Sequence, residues 1–92
     1  PLTDNARNWL GRTHYVRKDY QSAAKVFLIA YQAKPRGKKA ADNLFRLGLS
    51  LAGLKKNEDA CATFDKLDQD FPKSNSIIKK QLTQQRKKIG CG

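Results

Sequence analysis

Apolar residues fall three and four apart through most of the chain, the period of an amphipathic helix, and no stretch alternates with the period of two that a strand requires. Tyr20, Ala23, Ala24, Phe27, Ala30 and Tyr31 form one such stripe. Leu44, Leu47, Gly48 and Leu51 form a second, and Ala60, Phe64, Leu67 and Phe71 a third. A smaller stripe of Ala6, Leu10, Gly11 and His14 precedes them; Ile78, Leu82 and Ile89, with Ile77 beside them, follow. Local signals mark the ends. Asp4, Asp19, Asn57 and Ser74 are N-cap residues by type, and Glu58 and Asp59 sit in a first turn, where the helix dipole favours acids. Gly90 stands where a left-handed residue ends a helix. The pattern predicts five helices, each antiparallel to its neighbours. The first starts after Asp4, the second spans Tyr20 to about Lys34, and the third about Ala40 to Leu54. Asn57 caps the fourth and Ser74 the fifth.

The stripes repeat in register. Leu10, Gly11, Ala23, Phe27 and Pro35 each have a counterpart 37 positions on, at Leu47, Gly48, Ala60, Phe64 and Pro72. The doubled set resembles the tetratricopeptide (TPR) pattern of W-x2-L-G-x2-Y, then A-x3-F, then P, whose period is about 34 residues. In that pattern small residues sit where two antiparallel helices approach most closely, so Gly11 and Gly48 admit Ala23 and Ala60 with Phe27 and Phe64 beside them. Pro35 and Pro72 lack an N–H and disfavour the α region just before them, which stops the second helix of each pair. The pattern's Trp position holds Arg7 and Leu44, its Tyr position His14 and Leu51, and the longer period places three extra residues within Arg36-Gly37-Lys38-Lys39. The resemblance implies an all-α, right-handed solenoid of two helix-turn-helix repeats (about 4–37 and about 41–74) and a C-terminal capping helix (about 75–89), forming one domain.

Composition adds charge. The formal net charge is +11. Residues 1–40 hold nine Lys/Arg against Asp4 and Asp19, a balance of +7, and residues 73–92 hold six with no acid. Residues 41–72 are slightly acidic, at −2. Such ends favour acidic partners, anionic surfaces or nucleic acid, but no helix-turn-helix, zinc spacing or RNP motif singles out nucleic acid. No apolar run reaches the ~18 residues that span a bilayer. The chain opens at Pro1, as a processed product or an excised fragment does.

No group of residues is arranged for catalysis. His14 is the sole histidine, on a helix face where packing explains it, and the carboxylates of Asp59, Asp65, Asp68 and Asp70 lie along one solvated helix. Two cysteines and one histidine make no metal set, and no cofactor motif occurs. A non-enzymatic binding module is the expectation. In TPR folds the first helix of each repeat lines a concave groove. The face opposite Leu10-Gly11 carries Asn5, Asn8, Arg12 and Tyr15; its counterpart on the third helix carries Asp42, Phe45, Leu49 and Ala52; Ser76, Lys79 and Lys80 continue the row on the fifth. Tyr15 and Phe45 are the expected anchors, since aromatics at one level of a groove carry binding energy. Trp9 faces where a preceding helix would lie, and the expectation is that it packs on residues upstream of Pro1 in a longer chain or on a second copy of this one.

Finer wording narrows the family. Asn8-Trp9-Leu10-Gly11, Tyr20-Gln21-Ser22-Ala23-Ala24, Lys39-Ala40-Ala41-Asp42-Asn43-Leu44, Asp59-Ala60-Cys61-Ala62-Thr63-Phe64 and Phe71-Pro72-Lys73-Ser74 resemble the C-terminal TPR domain of the Tol-Pal-associated YbgF family, the cell division coordinators also called CpoB, in its alphaproteobacterial form. The resemblance implies a periplasmic adaptor, with TolA and the peptidoglycan synthesis machinery as partners, that helps coordinate envelope constriction with wall synthesis. Members carry a signal peptide and a trimerising N-terminal coiled coil, neither of which lies in this sequence. A cytosolic TPR adaptor or secretion chaperone is the alternative, and a basic nucleic-acid or anionic-surface binder a further one.

Cys61 and Cys91 pose a separate question. One lies early in the fourth helix and the other just past Gly90. Counting residues from the Pro72 turn at ~1.5 Å per helical residue offsets their levels by about 9 Å, beyond the ~7 Å a bridge tolerates between Cα atoms. A fold-back at Gly90 closes that gap and makes a bridge; otherwise Cys61 is a core thiol and Cys91 a tail residue.

Overall fold

The computed structural model describes residues 2–74 and 76–91. Five helices follow one another in it: α1 (Asp4–Val16), α2 (Tyr20–Ala33), α3 (Ala40–Gly53), α4 (Asn57–Asp70) and α5 (Ser76–Ile89). The described residues contain no strand. α1 packs on α2, α2 on α3 and α3 on α4; α5 lies against both α3 and α4, and α1 also touches α3. Tyr15 near the end of α1 meets Tyr20 at the start of α2, and the middles meet at Gly11 and Phe27, so the pair is an antiparallel hairpin. The result is a helical repeat solenoid.

The helix ends repeat as faithfully as the apolar stripes. α1 and α3 both close in a Schellman turn. After α1, the Lys18 N–H donates to Tyr15 O at 2.9 Å and the Asp19 N–H to His14 O at 2.9 Å; after α3, the Lys55 N–H donates to Ala52 O at 3.0 Å and the Lys56 N–H to Leu51 O at 2.9 Å. The residue that turns the chain is a lysine each time, with φ of 62° at Lys18 and 64° at Lys55. α2 and α4 stop differently. Lys34 (φ −142°, ψ 72°) and Phe71 (φ −132°, ψ 60°) are pushed out of the helical region by the proline that follows. α5 ends as α1 and α3 do: Gly90 has φ of 79°, and the Cys91 N–H reaches back to Arg86 O at 2.8 Å. In its ending, α5 is like the first helix of each hairpin.

The starts depart from expectation in three places. Thr3, not Asp4, caps α1, its Oγ1 accepting the Ala6 N–H at 3.1 Å, and Asp4 belongs to the first turn. Asp19 caps α2 as expected, accepting the Ser22 N–H at 3.2 Å; that bond and the Ser22 hydroxyl hold its carboxyl below the usual range. Asn57 is the first residue of α4, and the cap position is Lys56, which makes no side-chain capping bond. Lys56 nevertheless keeps the backbone of Asp19 (φ −89°, ψ 66° against φ −86°, ψ 72°), so the second repeat retains the turn and has lost the cap. α5 begins at Ser76, two residues beyond the expected cap Ser74, and the intervening position lies outside the described residues.

Two clusters make the core. Ala23, Ala24, Phe27 and Leu47 fill the first; Leu44, Phe45, Ala60, Phe64, Leu67 and Leu82 fill the second, and Leu51 packs against both. Within each hairpin the phenyl ring itself, rather than the small residue a turn earlier, occupies the space that a glycine vacates. A Cβ on Gly11 would lie 2.6 Å from Cε1 of Phe27, and one on Gly48 would collide with Cε1 of Phe64. A third such contact joins the repeats: Tyr20 of α2 lies on Gly53 of α3, 2.7 Å from where a Cβ would stand. Gly48→Ala should therefore force the Phe64 ring aside and destabilise the fold by about 1–3 kcal/mol, read as a lower midpoint in urea; an unchanged midpoint would overturn this packing. Lys55→Gly should act in the opposite direction, raising stability by up to about 1 kcal/mol as the left-handed strain on a side-chain-bearing residue is relieved, and a lowered midpoint would contradict that.

Candidate functional site

Corresponding positions of α1 and α3 connect each first helix to the next. Asn8 of α1 is 3% exposed, and its Nδ2 donates to Asp42 Oδ2 at 2.7 Å and to Asn43 Oδ1 at 2.9 Å, both on α3. Arg46 Nε donates to the same Asp42 oxygen at 2.8 Å, and the Ser50 hydroxyl donates to the Arg46 carbonyl at 2.9 Å. No buried side-chain nitrogen or oxygen is left without a partner among the described residues. Phe45, 37 positions after Asn8, does the same task with apolar atoms. It is 4% exposed, 6.0 Å centroid to centroid from Phe64, in the cluster that Leu82 of α5 closes. Neither Asn8 nor Phe45 is available to a groove ligand, which corrects the exposure expected of both.

α5 is held by Leu82, by Arg86 Nη1 on Asp65 Oδ1 at 2.6 Å, and by a disulfide. Cys61 and Cys91 are bonded, with Cα atoms 5.6 Å apart. The offset counted along the helices disappears because Gly90 folds the chain back over the end of α5.

That bridge fixes one wall of a cleft. A cavity of about 570 Å³ opens where the ends of α1, α3 and α5 converge, lined by Tyr15 of α1, by Leu49 and Ala52 of α3, and by Gln85, Lys88 and Ile89 of α5. Tyr20, Lys55 and Asn57 line it as well. Tyr15 meets Tyr20 edge to face at 5.3 Å and 62°. Burial pushes the Tyr15 hydroxyl pKa up, helped by Tyr20 and opposed by Arg46, so the group stays a neutral donor. The lining residues include no acid. The apolar side chains of Leu49, Ala52 and Ile89, amides and hydroxyls able to donate, and two ammonium groups suit a peptide segment that brings apolar side chains and a carboxylate.

Of the residues expected to line one groove, Tyr15, Leu49 and Ala52 share this cleft. Asp42 is held in the clasp with Asn8 and Arg46. Asn5 lies in a separate hollow with Lys34, Lys38 and Lys39. Arg12 stands beside Trp9 on another face of α1. Lys79 sits early in α5, its ammonium on the Pro72 carbonyl, away from the cleft. Gln85, Lys88 and Ile89 went unselected because sequence reasoning took the start of α5 rather than its end. Gly90 held the missing signal: a Schellman end aligns α5 with α1 and α3, which puts its last turn level with Tyr15.

The described residues include no cluster of three or more His, Cys, Asp or Glu side chains that could hold a metal ion, and no helix long and apolar enough to cross a membrane. Residues 42–74 match the tetratricopeptide repeat family. They span α3, α4 and the turn after Pro72, which is the second of the two repeats. No curated protein matches the chain.

Cys61→Ser/Cys91→Ser should lower stability by about 3–4 kcal/mol, the chain-entropy value for a closed loop of this size. Amide exchange should rise first in α5, whose remaining attachments are few; uniform exchange across all five helices would count against a bridge that serves this wall in particular.

Proposed function

We propose that the chain is a non-enzymatic protein-interaction module that holds a peptide segment of a partner in the cleft between α1, α3 and α5, and that it acts, as its resemblance implies, as a periplasmic adaptor of the Tol-Pal system. The match of α3 and α4 to the tetratricopeptide repeat supports the module, since such repeats stack into concave binding surfaces. The observation that carries the reading is the convergence of Tyr15, Leu49 and Ile89 with Lys55 and Lys88 in one acid-free cleft. Recognition would combine side-chain burial on Leu49 and Ile89 with a carboxylate placed between the two ammonium groups. TolA and the peptidoglycan synthesis machinery are the partners the resemblance names. The Cys61–Cys91 bridge favours this reading over a cytosolic adaptor or secretion chaperone, because cytosolic thiols are kept reduced.

Lys55 and Lys88 are exposed, so Lys55→Glu/Lys88→Glu leaves the core untouched. Titration of the periplasmic part of TolA should show about tenfold or weaker binding to this variant than to the wild type, with equal melting temperatures. Equal affinity would remove the cleft from consideration. Absence of binding by either form would remove TolA, and the same comparison with a peptidoglycan synthase would then decide for the second partner.

A further inference from the structure

The internal repeat shows which face of α1 lacks a cover. Adding 37 to Ala6, Trp9, Thr13 and Val16 gives Asn43, Arg46, Ser50 and Gly53. On α3 that face is closed: Asn43 and Ser50 are buried, Asn43 accepts from Asn8 of α1, and Gly53 lies under Tyr20 of α2. On α1 the same face is open, with Trp9 66% and Val16 78% exposed around a shallow hollow of about 370 Å³. The substitutions between the two faces describe what would fit. Gly53 accepts a tyrosine ring, whereas Val16 already fills that place, so an occupant needs a small residue there. Arg46 becomes Trp9, a flat indole for an aliphatic side chain to lie on. Leu49 and Leu54 become Arg12 and Arg17, which flank the hollow and make no ion pair among the described residues.

We propose that the Trp9–Thr13–Val16 face of α1 is a docking surface for an acidic amphipathic helix of another protein, seated on α1 as α2 is seated on α3. The acids of that helix meet Arg12 and Arg17, and its apolar face covers Trp9 and Val16. A second copy of this chain fits badly. A two-fold contact through this face would set Arg12 and Arg17 against their own copies, on the part of the chain whose charge balance is +7. The surface is distinct from the cleft, whose lining residues it does not share.

Trp9 is the only tryptophan, so its emission reports on this face alone. The intact chain is titrated with synthetic amphipathic helices that carry a Leu/Ala face flanked by Glu, with Gly, Ala or Leu at the place opposite Val16, and with the same set carrying Lys for Glu. The Glu-flanked helices with a small residue should give a saturable blue shift. Arg12→Glu/Arg17→Glu should weaken that binding about tenfold or more, and the Lys-flanked set should leave the emission unchanged. Three results would each overturn the proposal: no shift with any Glu-flanked helix, equal binding by the Lys-flanked set, or a blue shift that grows with protein concentration alone while sedimentation shows a dimer.

Discussion

The contact on which the rest depends is a phenyl ring lying on bare helix backbone, made twice. Phe27 over Gly11 and Phe64 over Gly48 set how closely each pair of helices can approach. That separation fixes where the second helix presents its far side to the next unit. With Phe27 and Phe64 fully buried, each ring anchors a hairpin whose ends are then held by local backbone bonds. Propensity alone would leave such short helices marginal, so most of their stability comes from this packing. Tyr20 on Gly53 extends the same device across the boundary between repeats.

Where the two repeats differ, the difference is informative. Position 8 and position 45 both point from one first helix to the next, yet one is Asn and the other Phe. Asn8 requires Asp42 and Asn43 in a single arrangement, which sets the register of α1 on α3 through directional bonds. Phe45 requires only apolar cover, which Leu82 and its neighbours on α5 supply. A single helix, α5, completes that apolar joint, and the bridge from Cys61 to Cys91 braces it.

Much of this was legible in the chain because a repeat states each requirement twice. The five helices, the glycine and phenylalanine landmarks and the proline stops all follow from spacing. Two kinds of feature were not legible. Lys18 and Lys55 adopt left-handed backbone that no lysine side chain favours; the turn is imposed by the hairpin on either side, so residue type carries no signal. Phe45 looked exposed because its face points away from Leu47-Gly48. α3, however, lies between α2, α4 and α5, and a central helix has no free side for periodicity to identify. Asn8 misled for the opposite reason, as a polar residue whose partners are 34 and 35 positions away.

The disulfide also changes how the molecule answers to load. A pull applied beyond Cys91 passes through the sulfur bridge to Cys61, early in α4, and never stretches the chain between them, a sequence separation of 30. α5 and most of α4 are thus shielded from tension, together with Gln85, Lys88 and Ile89 along the cleft wall. Extension falls instead on α1 to α3 and the first turn of α4. About 100 Å of contour, at roughly 3.3–3.6 Å per residue, stays out of reach until the bridge is cut. A chain loaded from both ends would keep that wall of the cleft intact while its other end yields.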